Sequence, residues 1–261
     1  MALFYGNNQY VASKISIKEI SKIYPGKEQD FVALKQVSLS VLPNEFVSIV
    51  GPSGCGKSTL LKLVAGLEES TEGKIWVDGK EVMGPGADRG MVFQSYTLFP
   101  WLTVVENIVF GLKLKGVPPA ERKEIVDKYL ELIKLTEFRN RYPKELSGGM
   151  KQRVAIARAL ANNPSVLLMD EPFGALDPQT KVSMQEMLID IWRKEKTTIV
   201  FITHDIEEAI FLSQHVYVMQ KAPGRIVKKI NVPLPTERIS EIKDTHQFIE
   251  LKKQIVSLLK H

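Results

Sequence analysis

Apolar and polar positions alternate over residues 15–41, with Ile15 and Ile17 before Tyr24 and Val37, Leu39 and Val41 after a polar Pro-Gly loop. A period of two predicts a pair of antiparallel strands. A compact apolar run at 45–50 then enters a glycine-rich loop, and over 58–66 the apolar spacing becomes helical. Strand, loop and helix are expected in that order. Ile75-Trp76-Val77 and Glu81-Val82 flank Asp78-Gly79, a dipeptide that accepts positive φ and predicts a tight hairpin.

Between about residues 95 and 161 the pattern turns helical, with segments at 103–112, at 118–135 (Ile125, Tyr129 and Leu132 on one face) and at 147–161. The short, continuously apolar runs at 166–170 and 198–203 are rich in strand-forming residues and are separated by a helix starting at Asp177-Pro178. Runs of this kind predict buried parallel strands. After a strand at 216–219, Ala222-Pro223-Gly224 predicts a turn. Phe248, Leu251, Ile255 and Leu258 then mark a short amphipathic helix.

At 261 residues and 44% hydrophobic content, the chain suits one large α/β domain with a doubly wound core. The longest apolar stretches, such as Val166-Leu167-Leu168-Met169, fall far short of the ~20 residues that cross a bilayer. The opening Met1-Ala2-Leu3-Phe4-Tyr5-Gly6-Asn7 has neither the basic start nor the sustained apolar core of a secretory leader, so a cytosolic location is expected. Cys55 is the single cysteine and excludes an internal disulfide. A net charge of +5 and a pI near 9.1 would suit an acidic partner. The basic residues are dispersed among acidic ones, as in Ala120-Glu121-Arg122-Lys123-Glu124, so no nucleic acid is expected.

The chemistry begins at Gly51-Pro52-Ser53-Gly54-Cys55-Gly56-Lys57-Ser58, which fits the P-loop pattern. Glycines let successive backbone N–H groups curl around phosphate oxygens at a helix N-terminus. Lys57 is expected to reach the terminal phosphates of ATP and Ser58 to hold Mg²⁺, with Thr59 next along the helix. Cys55 lies inside the loop, so its alkylation is expected to block nucleotide binding. The apolar strand at 166–170 ends in Asp170-Glu171, which supplies a carboxylate for the metal and a second one to act as base toward water.

Leu146-Ser147-Gly148-Gly149-Met150-Lys151-Gln152-Arg153 resembles the signature segment of the ABC ATPases, and the order of motifs is similar along nearly the whole chain. The resemblance implies a P-loop NTPase core of the ABC type with an antiparallel β subdomain and a helical insertion. It divides one domain into 1–94 (β subdomain and P-loop core), 95–163 (insertion), 164–220 (second half of the core) and 221–261 (extension). It also implies that Gln94 is the glutamine that contacts Mg²⁺ and the attacking water, and His204 the histidine beside the γ-phosphate. Ala175-Leu176-Asp177 corresponds to the D-loop. Tyr24 takes the place of the aromatic that stacks on adenine, with Phe31 as the other candidate. Ser147, Gly148 and Gly149 open a helix with free N–H groups, a second phosphate binder. In the family it addresses ATP held by the other subunit, together with Asp177. Met150 and Gly174 stand where Gln and Ser are usual.

The resemblance further implies a second ATPase subunit, identical or paralogous, permease subunits, and indirectly an extracytoplasmic solute-binding protein. The implied place is the cytoplasmic face of the cell membrane, with the aromatic stretch 93–101 docking the permease. Pro85-Gly86-Ala87-Asp88-Arg89-Gly90, the segment Leu146 to Arg153 with its Met150, and Ala222-Pro223-Gly224-Arg225-Ile226-Val227 look like the nitrate, sulfonate, taurine and bicarbonate importer group. A soluble ABC ATPase of DNA repair or translation is the alternative class, although the coiled coils, zinc modules or paired cassettes usual there are missing from the sequence. A P-loop kinase has no reason to carry Ser147-Gly148-Gly149.

Overall fold

The computed structural model describes residues 12–260; the opening segment read above for a leader lies outside them. Strands β1 (Ile15–Tyr24) and β2 (Phe31–Val41) pair antiparallel, and β4 (Glu72–Val77) and β5 (Lys80–Glu81) complete a four-stranded sheet in the order β2-β1-β4-β5. Asp78 and Gly79 both have positive φ, 51° and 73°, as the two-residue hairpin between β4 and β5 requires.

The second sheet has six strands, in the order β10-β9-β3-β8-β7-β6. β3 (Phe46–Val50), β6 (Arg89–Val92), β7 (Val166–Asp170), β8 (Thr198–Thr203) and β9 (His215–Gln220) run parallel, while β10 (Arg225–Asn231) is an antiparallel edge. The uninterrupted apolar runs of β7 and β8 follow from burial on both faces. Val166, Leu168, Val200 and Ile202 face a core shared with the four-stranded sheet and with α1 (Lys57–Ala65). Leu167, Met169, Ile199 and Phe201 face the opposite core, built with the remaining helices. Helix α1 therefore lies between the two sheets, and the loop before it starts at the carboxyl end of β3, where parallel sheets place ligand sites.

α2 (Val104–Leu114) begins with a capping box in which Thr103 and Glu106 satisfy each other's backbone N–H groups. In α3 (Pro119–Leu132) the buried positions are Val126, Tyr129 and Leu130, continuing to Ile133. The face expected from Ile125, Tyr129 and Leu132 is rotated, and Ile125 and Leu132 flank it half-buried, because α3 packs across both α2 and α4 (Gly148–Ala161), which also touch each other. Three further helices complete the fold: α5 (Pro178–Glu195), α6 (Ile206–Leu212) and α7 (His246–Leu259). Phe248, Leu251 and Ile255 of α7 are buried, as its amphipathic pattern predicts. Strand β10 follows the expected turn at 222–224 but was not itself expected. It is a mostly exposed, lysine-bearing edge with little apolar alternation to reveal it. Among the described residues no helix is long and apolar enough to cross a membrane.

Candidate nucleotide site

The loop from Gly51 turns into α1 through Gly54 and Gly56, whose φ values of 75° and 96° lie in the left-handed region that glycine alone enters freely. A Cβ on Gly51 would sit 2.4 Å from the Met219 carbonyl oxygen, so the loop also needs glycine there to pass close to β9. Among the described residues, no acceptor takes the backbone N–H groups of Gly54, Gly56, Ser58 or Thr59. The first turn of α1 has no acidic residue and Gly56 offers no side-chain cap. Unpaired N–H groups at a helix start form an anion-binding nest.

Lys57 is 4% exposed, and its ammonium donates to the carbonyls of Gly51 at 2.9 Å and Pro52 at 3.2 Å, with Glu171 Oε1 at 3.7 Å. Its charge is thereby buried with partners rather than alone. Pro52 and Ser53 form the outer bend of the loop, and Cys55 N–H closes it onto the Pro52 carbonyl at 3.3 Å. The Cys55 side chain does not face the phosphate nest. It is 1% exposed in the core under the loop, and burial pushes its thiol above the ordinary range. The expectation that alkylation blocks nucleotide binding thus applies only once the thiol has been exposed, since the folded chain offers no accessible thiolate.

The carboxylates arrive from the neighbouring strand end. The Ser58 hydroxyl donates to Asp170 Oδ1 at 2.9 Å, and burial, reinforced by the charge of Glu171, raises the Asp170 carboxyl above its usual range against the Ser58 bond. A desolvated carboxylate beside a hydroxyl is a hard-oxygen pair suited to Mg²⁺. Glu171 has φ of 42°, a strained value for a non-glycine residue, and its N–H is fixed on the Ile202 carbonyl at 3.0 Å. Such strain, of about 1–3 kcal/mol, persists where surrounding structure imposes it. It turns the carboxylate toward His204, whose Nδ1 lies 2.9 Å from Glu171 Oε2. Gln94 approaches the same corner from the end of β6. Its Nε2 would lie 3.7 Å from a Cβ placed on Gly174.

Tyr24 and Phe31 are cross-strand partners with ring centroids 6.5 Å apart and planes inclined by 21°. Tyr24 donates its hydroxyl to Glu68, and Thr59 also bears on that hydroxyl. This links the aromatic pair to α1.

A second group of residues lies at the starts of α4 and α5. The Ser147 hydroxyl caps α4 by accepting from Met150 N–H, and Asp177 caps α5 by accepting from Thr180 N–H at 3.0 Å. A Cβ on Gly149 would lie 2.5 Å from Thr180 Cγ2, and one on Gly148 2.8 Å from the Tyr96 hydroxyl. These two helix ends are packed together. No hydrogen bond or ion pair among the described residues connects Ser147 or Asp177 with Lys57, Ser58, Asp170, Glu171 or His204.

Sequence reasoning missed Asn107, a fully buried side chain on α2. It bonds the backbone of Phe99, Leu102 and Thr103 and so fixes the loop presenting Trp101, which is 70% exposed. It also missed Lys181, which bonds the residue after His204. A lone polar residue in an apolar helix was the available signal for Asn107; Lys181 gave none.

Comparison with known proteins agrees with this geometry. The family model described as ABC transporter matches residues 34–174, more than half the chain. The nitrate import ATP-binding protein NrtD of a Synechocystis species is 52% identical, with 94% of this chain and 95% of that protein aligned. The aliphatic sulfonates import ATP-binding protein SsuB of Bacillus cereus is 46% identical over 93% and 94%. Among solved structures, the dimeric post-hydrolysis state of the ATP-binding cassette MJ0796 bound to ADP and Pi aligns with a TM-score of 0.74. It is 35% identical and covers 85% of this chain and 100% of that one. The chain belongs to the ABC transporter family and is an ATP-binding subunit whose cassette is an ABC ATPase.

Proposed function

We propose that this subunit drives uptake of a small anion, of the class of nitrate, sulfonate, taurine or bicarbonate, as one of two cassettes beneath a permease at the cytoplasmic face of the cell membrane. The full-length likeness to import proteins named for nitrate and for aliphatic sulfonates carries this reading. An extracytoplasmic solute-binding protein would deliver the anion.

The geometry and the family resemblance together support these residue roles. Backbone N–H groups of the 51–59 loop receive the phosphates, and Lys57 exchanges its carbonyl partners for phosphate oxygens. Tyr24, with Phe31 beside it, receives the adenine. Ser58, Asp170 and Gln94 would hold Mg²⁺, which when bound neutralises charge on the phosphates. Glu171 orients and accepts a proton from water. His204 holds Glu171 in place and donates toward the γ-phosphate oxygen. Ser147, Gly148, Gly149 and Asp177, which make no hydrogen bond to this cluster within their own chain, complete the site of a second cassette. The exposed Trp101 and the groove beside Phe99 and Phe110, about 340 Å³ in volume, receive the permease.

The test is transport. A deletion strain should lose uptake of nitrate or of a sulfonate and regain it with the wild-type chain but not with Glu171→Gln. Unchanged uptake of all four anions in the deletion strain would overturn the substrate class. ATP hydrolysis indifferent to the permease would overturn the transporter role.

A further inference from the structure

Behind His204 the chain builds a polar knot that no role above requires. Asp205, the next residue, caps α6 by accepting at Oδ1 from the N–H groups of Glu207 at 3.0 Å and Glu208 at 3.2 Å. Its own N–H donates to the Thr203 hydroxyl at 3.0 Å, so the backbone on both sides of His204 is tied into one turn. The other oxygen, Oδ2, accepts from the Lys181 ammonium at 2.7 Å. Lys181 also stands 3.4 Å from Glu208, which is 3% exposed and accepts from Gln185 Nε2 at 3.2 Å. Gln185 in turn accepts from Lys243 at 3.3 Å.

Lys181 lies in the first turn of α5, and its N–H bonds the Asp177 carbonyl at 2.9 Å. One side chain therefore joins the end of α5 that carries Asp177 to the turn that carries His204. We infer that Lys181 is a positioning residue for ATP hydrolysis, setting His204 relative to Glu171 according to where the Asp177 end of α5 sits. The inference rests on the roles proposed for His204 and Asp177. It adds that the end of α5 offered to the second cassette is mechanically coupled to the catalytic corner of its own chain. The physical case is stiffness. The ion pair is only part-exposed, with Lys181 at 23% and Asp205 at 35%, and a shared buried acid on one side limits the paths along which α5 and α6 can slide. A shift of about 1 Å at a reacting group can cost a hundredfold in rate.

The experiment compares Lys181→Met, Lys181→Arg and His204→Ala in the full-length chain, reading kcat, the KM for ATP, and equilibrium binding of a fluorescent ATP analogue. Lys181→Met should lower kcat roughly ten- to a hundredfold while KM and binding stay within about twofold, and Lys181→Arg should recover most of the loss. A double-mutant cycle with Asp205→Asn, which keeps a capping side chain, should show that the two changes are not additive. Wild-type kcat in Lys181→Met with His204→Ala inactive would overturn the inference alone. Equal losses of binding and kcat, unrelieved by Lys181→Arg, would reduce Lys181 to a structural staple and overturn it too. A fully active His204→Ala would sink the role of His204 and this inference with it.

Discussion

Glu171 Oε2 and His204 Nδ1 lie 2.9 Å apart although their residues leave two different strands, β7 and β8. The contact exists because Glu171 takes a left-handed backbone conformation and is pinned to the Ile202 carbonyl, two residues before His204. An isolated acid on a strand end needs no such strain. Glu171→Gln should therefore retain ATP binding and lower kcat by two to four orders of magnitude, the usual worth of a positioned base. Gel filtration with ATP should show the variant accumulating as a dimer. Normal turnover in the variant would remove Glu171 from the mechanism.

The two glycines near the helix ends make opposite predictions. A Cβ at Gly149 would meet Thr180 Cγ2 at 2.5 Å, so in Gly149→Ala either the Thr180 methyl must turn away or α4 must shift from the start of α5, at a cost of about 1 kcal/mol. At Gly174 the nearest atoms are the Glu171 carbonyl oxygen at 3.4 Å and Gln94 Nε2 at 3.7 Å, which are ordinary contacts. Gly174→Ser should leave stability within about 0.5 kcal/mol of wild type. Urea unfolding of both variants checks the contrast, and a harmless Gly149→Ala would show that Thr180 gives way without moving the helices.

Cys55 should resist modification. Its thiol is 1% exposed and raised in pKa by burial, so at pH 7–8 the thiolate fraction is smaller than in a free cysteine. Iodoacetamide should label it far more slowly in the folded chain than in urea, and brief native treatment should leave ATP affinity unchanged. Labelling at the rate of the unfolded chain would place the thiol in the open loop.

Lys57, Ser58, Asp170 and Glu171 could be singled out from the P-loop pattern and the strand before the acidic pair, whereas Gln94, Ser147 and His204 were singled out only by resemblance to the ABC motifs. The direction of Cys55 could not be read, since a loop with glycines at positive φ aims its side chains by backbone torsions that composition does not encode. Tyr24 and Phe31 looked like alternatives, yet the register of β1 and β2 makes them partners. Strand β10 was hidden by its exposure, and Lys181 resembled any lysine on a helix until α5 and α6 were placed side by side.

Arg238 was hidden in the same way. In sequence it is a cation in a loop beyond β10; in the structure it is 7% exposed and has no carboxylate among its bonded partners. Its guanidinium instead donates to the carbonyls of Ile210, Phe211 and Ser213 at 2.7–3.0 Å, and to Pro235 at 2.7 Å. Burial lowers its pKa to about 10, but the group stays charged at neutral pH and faces the negative end of α6. Removing it relieves the cost of burying a cation and leaves three carbonyls at the helix end unpaired, and the second effect is the larger. Arg238→Met should destabilise the chain by about 2–3 kcal/mol, and Arg238→Lys by less, because an ammonium keeps the charge without the planar fork that reaches several carbonyls. Equilibrium unfolding in urea measures both. A methionine variant as stable as wild type would mean that solvent, rather than Arg238, satisfies the end of α6.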